Sequence, residues 1–405
     1  MGSLRPRSCA LAAIGVLSLV AAAAPHAPAP VAAAATAKAA GYLARDLGTL
    51  GGTSSSAVAA SGHFVVGDAN IAGDAASHAF AYDVATRRMT DLGTLGGTSS
   101  HAAAVDGGFA VGTSAIAGNA ARHAFAYNLA RRRMTDLGTL GGDSSDAVAI
   151  DGNVVIGNSG TSGSGNHAFA YNLVTRRMTD LGTLGGTTSY ATAISGDIAA
   201  GSSSVADGAA LHAFAYNLAT RKMADLGAPH GLGSNATAIR GHIIAGTAGT
   251  TGNISHAFAY DLRSRSWADL GTLGGLYSYA TAISGDFVVG RSNYANSAVG
   301  MYYHAFFYDL RTRAITDLGT FGGYISDAAA ISGAVAVGEA ENAANAYHAF
   351  AHNVVTGATT DLGTLGGTNS GAHAITRDGL VAGSADTTTG ASHAAIWVPA
   401  RGHVP

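Results

Sequence analysis

Apolar residues in this chain come in short runs, broken every few positions by Gly, Ser, Asp or Asn, and no segment sustains a helical period. The stretch 57–93 shows the pattern. Ala57-Val58-Ala59-Ala60 is a small-residue run ended by Ser61-Gly62, and Phe64-Val65-Val66-Gly67 is a β-branched one. A polar loop, Asp68–Ser77, precedes His78-Ala79-Phe80-Ala81-Tyr82, whose strict alternation puts His, Phe and Tyr on one face and alanines on the other. Asp83–Arg87 is a polar turn, and Met89-Thr90-Asp91-Leu92 is a fourth run. The pattern predicts four short strands and no helix.

This unit is copied in series. Asp-Leu-Gly-Thr-Leu-Gly-Gly or a close variant begins at Asp46, Asp91, Asp136, Asp180, Asp225, Asp269, Asp317 and Asp361, and His-Ala-Phe or a variant at His78, His123, His167, His212, His256, His304, His348 and His393. Successive copies lie 44 or 45 residues apart, with one interval of 48. Four strands in such a period are the signature of a propeller blade. The first copy supplies only a fourth strand, Leu43–Gly48, and the last stops after three. Joined, those fragments complete one blade and leave no open sheet edge. The expectation is an all-β, eight-bladed propeller over residues 42–398, with a short tail at 399–405.

The two motifs, with the Ala-Ile-Ser-Gly strand end at Ala193–Gly196 and Ala282–Gly285, resemble the HAF repeat family, a group of extracellular bacterial repeat proteins. The resemblance implies export and a repeat architecture; it supplies no catalytic residues. Two units depart from the pattern. The fifth reads Asp225-Leu226-Gly227-Ala228-Pro229-His230-Gly231, and the eighth carries Ala395 in place of Phe and ends in Trp397.

Composition narrows the partners. The chain is 47% hydrophobic and 12% charged, with 57 glycines at fixed repeat positions, too apolar for disorder. Net charge is -3, and the basic residues are spread along the sequence without a basic stripe, which argues against nucleic acid. Residues 1–37 read as a Sec-type signal peptide and leader. Arg5 and Arg7 precede the apolar stretch Cys9–Ala24, an Ala/Pro-rich segment runs to Lys38, and cleavage fits Ala35-Thr36-Ala37 or Ala22-Ala23-Ala24. Its removal takes away the only cysteine, Cys9, and the only apolar run near membrane-span length. The expectation is an extracellular, thiol-free monomer without an integral span.

The repeated polar residues read as structure. Histidines that open third strands sit far from the axis, on the order of 10 Å apart, beyond sharing one metal ion. Antiparallel pairing instead brings His78 to Asp91, His123 to Asp136 and His167 to Asp180, predicting a buried His–Asp brace in each blade. The Gly-Gly pair lacks the helix and Lys-Ser/Thr of a phosphate loop and predicts positive φ at the crossover between blades. No metal or cofactor is implied.

Function on a symmetric scaffold is expected where the symmetry breaks. Residues 277–347 hold Tyr277, Tyr279, Tyr294, Tyr302, Tyr303, Tyr324 and Tyr347, seven of the nine tyrosines outside the His-Ala-Phe strands. The only two glutamates, Glu339 and Glu341, lie there, with Arg291 opening a lengthened loop to Tyr303. Tyrosine offers amphipathic contact area at low entropic cost. The leading reading is a secreted, non-enzymatic module that binds a glycan or protein through the rim of blades 6 and 7. One alternative is a polysaccharide hydrolase or lyase using Glu339 and Glu341; another is a structural cell-surface component.

Overall fold

The computed structural model describes residues 41–163, 165–206, 208, 210–229, 232–252, 254–295 and 302–400. The leader lies outside them, and the tail is described only to Ala400. Eight antiparallel four-stranded sheets follow one another in chain order, so the fold is an eight-bladed β-propeller. The strand Tyr42–Gly48 pairs with Ser392–Pro399, Tyr42 opposite Pro399, and supplies the fourth strand of blade 8. First strands pack beside first strands of neighbouring blades and are therefore innermost. Blade 1 comprises Gly51–Ser61, Phe64–Ile71, Ser77–Asp83 and Arg88–Asp91.

First strands are longer than the small-residue run suggests. Six have 11 residues, because a bulge between Ala57 and Ala59, and at each equivalent, lets the strand bend back over the crossover. The glycine pair divides its work in a way the sequence did not reveal. Gly51 has φ of 100°, whereas Gly52 is needed for closeness: a Cβ there would lie 2.6 Å from the Ile71 carbonyl oxygen.

Blades pack large against small. Phe80 and Tyr82 face blade 8, where they meet Ala382, Ala394 and Ile396, while Ala79 and Ala81 face blade 2 and receive Phe125 and Tyr127. Each buried Phe contributes roughly 2–3 kcal/mol. Departures from the repeat are matched in volume across an interface. In blade 6 Phe307 stands where blades 1–5 and 7 have Ala, and in blade 7 the facing Tyr is replaced by the smaller His352, ring centroids 6.1 Å apart. In blade 8 Ala395 replaces Phe, and the fully buried Trp397 fills the space.

A polar tie accompanies this packing. Ser100, on the first strand of blade 2, accepts the Ala79 N–H of blade 1 at 2.9 Å and donates to the Gly93 carbonyl at 2.6 Å. Ser55, Ser145, Ser189, Ser234, Ser278, Ser326 and Ser370 do the same, all buried. Blade 8 is joined to blade 1 by Ser55 and by His373 Nδ1, 2.7 Å from the Ala57 carbonyl oxygen.

All eight His–Asp contacts are present, with His Nδ1 donating to the carboxylate at 2.8–3.0 Å. They are not buried as expected. The Asp91 side chain is 42% exposed, because it lies at the outer end of the fourth strand, where it also accepts the Gly93 N–H at 2.7 Å. Burial thus ranks the two polar devices. Ser189→Ala, which orphans a buried N–H, is expected to lower stability by about 1–3 kcal/mol; Asp91→Ala should cost about 1 kcal/mol or less. Urea unfolding of the two variants tests the order, and an equal or reversed loss would contradict it.

Candidate functional site

The loops between second and third strands and the crossovers between blades share one face of the ring, as the antiparallel order requires. The symmetry-breaking residues gather there at blades 6–8, although most lie on strands. Tyr277 and Tyr279 are on Gly274–Ser284, Arg291 and Tyr294 on Phe287–Tyr294, and Tyr303 opens Tyr303–Asp309. Tyr324 lies on Gly322–Ser332, Glu339 and Glu341 on Val335–Asn342, and Tyr347 opens Tyr347–Asn353. The expected loop Arg291–Tyr303 therefore starts only after Tyr294. The strand pleat directs Glu339 and Glu341 to the same face of the sheet.

Two groups form. In the inner one, the Arg291 guanidinium lies 5.4 Å from the ring centres of both Tyr279 and Tyr303 and donates to Asp327 of the next blade at 3.0 Å. Asp327 is paired across the sheet with Glu339. Burial, with the nearby Asp327 charge, pushes Glu339 up to about 6. Burial also raises Asp327, opposed by Arg291, and one of its carboxylate oxygens is buried without a partner among the described residues. Gly371 of blade 8 leaves room for this carboxylate: a Cβ there would sit 2.7 Å from Glu339 Oε2 and 3.5 Å from His373 Nε2.

In the outer group, Tyr302 and Tyr324 rings lie 5.4 Å apart and tilted by 30°, with Tyr324 59% exposed. Tyr294 stacks on His304 at 4.0 Å. Glu341 is buried and accepts the Tyr324 N–H at 2.6 Å, so it holds backbone. Tyr347 lies between the groups; burial raises its hydroxyl pKa, reinforced by Glu341 and Glu339. Tyr277 makes no close ring contact with the others among the described residues.

Asp327, Gly371 and His373 were not singled out from the sequence. They occupy positions that vary inside otherwise regular strands. The residue after the second-strand glycine reaches the next blade elsewhere too: Asp68 binds the Ala102 N–H and His101, and Asn158 the Ala191 N–H. Glu339 occupies that position but makes no such backbone bond among the described residues. Its carboxylate is left available.

No family model and no curated protein matches the chain. Among solved structures, the β-propeller domain of the trilobed protease from Pyrococcus furiosus is similar, with TM-score 0.51 and 8% identity over 86% of this chain and 96% of that one. That domain is described as having an open velcro topology; here blade 8 is closed by strand pairing. Prolyl endopeptidases are similar at TM-score 0.56 and 9% identity, over 76% of this chain and 50% of theirs. At these identities the likeness concerns the fold.

Glu339 makes the site less stable than it could be. Its folded pKa of about 6 exceeds its ordinary 4.5, so folding favours its protonated form. That advantage is complete below pH 4.5 and is lost as the pH rises through 6, above which the buried anion costs up to about 2 kcal/mol. Glu339→Gln is expected to melt above wild type at pH 7.5, with the difference closing toward pH 4.5. Burial lowers the pKa of His352 and of His373, so both destabilise the fold below about 6.5, but equally in the two proteins. A variant no more stable at pH 7.5 would contradict the burial of this charge.

Proposed function

We propose that this is an extracellular propeller of the HAF-repeat kind that binds a glycan on the face of blades 6 and 7. The arrangement of Tyr279, Arg291, Tyr303 and Asp327 carries the reading. The pairing with Asp327 and the contact with two rings hold the guanidinium in one position while 47% of its side chain stays exposed. Aromatic faces, oriented donors and a carboxylate acceptor thus meet in one patch, the combination a ring-shaped polyhydroxyl ligand requires. The exposed Tyr324 and its partner Tyr302 extend the patch by one blade. Export is the part of this reading that the leader supports.

One observation favours a second reading. A carboxyl poised near 6 is suited to general acid catalysis, so Glu339 fits a polysaccharide hydrolase or lyase. Its companion carboxylate would be Asp327, across the sheet, and not Glu341, which is occupied by Tyr324.

A glycan array read with wild type and with Tyr303→Ala/Tyr324→Ala tests the proposal. The expected result is a defined set of glycans whose affinity falls at least roughly tenfold in the variant, the loss of one or two stacked rings, with unchanged circular dichroism. Retained affinity would contradict the site. Product release that disappears in Glu339→Gln would replace the binding module with the enzyme.

A further inference from the structure

The basic residues are spread along the sequence but not in space. Thirteen of the 22 lysines and arginines fall in the turns joining third to fourth strands of blades 1–6 or on the first residue of the fourth strand, all exposed. The repeat brings every one of these turns to the face opposite the tyrosine site. The expectation of dispersed basic charge is therefore corrected: two or three basic residues in each of six blades become an arc on one face. The eight motif aspartates and both glutamates lie on the other face; the basic face carries eight aspartates of its own, Asp106, Asp151, Asp197 and Asp378 among them, against fifteen lysines and arginines, so it stays net positive while the chain as a whole is at -3.

The backbone shows that these arginines are not there for the turn. Arg87, Arg132, Arg176, Arg221, Arg265 and Arg313 all have φ between 51° and 59°. That region is disfavoured for a residue with a Cβ by roughly 1 kcal/mol. Blade 7 has Gly357 at the equivalent position, with φ of 75°, and its turn carries no basic residue. Six turns thus tolerate strain that the seventh avoids, and strain retained in this way points to a use for the side chain.

Few of these charges are paired directly. Among the described residues only Arg311, of all the basic residues in these turns, has a carboxylate within 4.0 Å, from Asp286 and Asp309. Asp83, Asp261 and Asp309 accept N–H groups of their own turns. At the centre of the same face, a cavity of about 350 Å³ opens between Arg240 and Arg377, beside Ser284, Ser332 and Gly333. Neither arginine has an ion-pair partner among the described residues.

We infer that this face docks on an anionic phospholipid surface. Equivalent turns of a propeller are coplanar, so a flat surface can touch all six at once, whereas a linear polyanion would follow only part of the arc. Two of the most exposed apolar side chains, Val174 and Val355, stand at turn tips on this face, 71% and 70% exposed. Basic side chains with apolar tips between them suit the headgroup boundary of a bilayer. Docked this way, the propeller presents its tyrosine site away from the membrane.

Co-sedimentation with vesicles is the test. Wild-type protein should bind phosphatidylcholine vesicles containing about 30% phosphatidylglycerol, should not bind phosphatidylcholine alone, and should release in about 0.5 M salt. The triple variant Arg176→Gly/Arg221→Gly/Arg265→Gly should bind on the order of a hundredfold more weakly, the weight of three basic side chains near an anionic surface. Its melting temperature should not fall, because glycine relieves the turn. Equal binding to neutral vesicles, or undiminished binding by the variant, would overturn the inference. So would a lowered melting temperature, which would make the arginines structural. Retention on heparin without vesicle binding would assign the face to a soluble polyanion instead.

Discussion

The contact between neighbouring blades is the constraint on which everything else rests. A blade cannot bury its third strand alone, so Phe80 and Tyr82 need the alanines of the blade before, and Ala79 and Ala81 need the aromatic pair of the blade after. The buried serine fixes this contact in register. Ser100 takes up the N–H beside His78 and returns its own proton to the Gly93 carbonyl, so a shift of one residue would orphan two buried groups. Eight such contacts close into a ring because Ser55 receives the chain's last third strand through Ala394.

Much of this architecture was legible. Strand number, blade count and the completion of blade 8 by the first strand follow from motif spacing and from the unequal first and last copies. The His–Asp pairing was legible too, but not its exposure, because spacing tells which residues meet and not how deep they lie. The serine's role is not legible within one unit, although it stands nine residues after every motif aspartate, even in the irregular fifth unit. Its role depends on contact with a different blade, and intra-unit reading does not show that. Gly52 is illegible in the same way, because its requirement comes from the neighbouring strand and not from backbone conformation.

The candidate site was legible in composition and illegible in geometry. The excess of tyrosines and the two glutamates located it, yet Arg291 lies on a strand where a loop was expected, and Glu339 and Glu341 lie on the matching strand of the next blade. The pairing that organises it, Arg291 with Asp327, joins residues on different blades. Comparing repeats position by position exposes such residues better than comparing loops: the position after the second-strand glycine is Asp68, Thr113, Asn158, Ser202, Thr247, Arg291, Glu339 and Ser384 in the eight blades. It is a variable position inside a regular element, where packing alone would favour uniformity. The basic arc was hidden in the opposite way, each arginine looking ordinary within its own repeat.

The central claim is that a uniform framework carries its ligand at the one sector where the repeat breaks. Hydrogen–deuterium exchange on the protein with and without a bound oligosaccharide tests this most directly. The account predicts added protection confined to segments 277–279, 291–294, 302–303, 324 and 339–347, with blades 1–4 unchanged. Protection spread evenly around the ring, or centred on another blade, would contradict it.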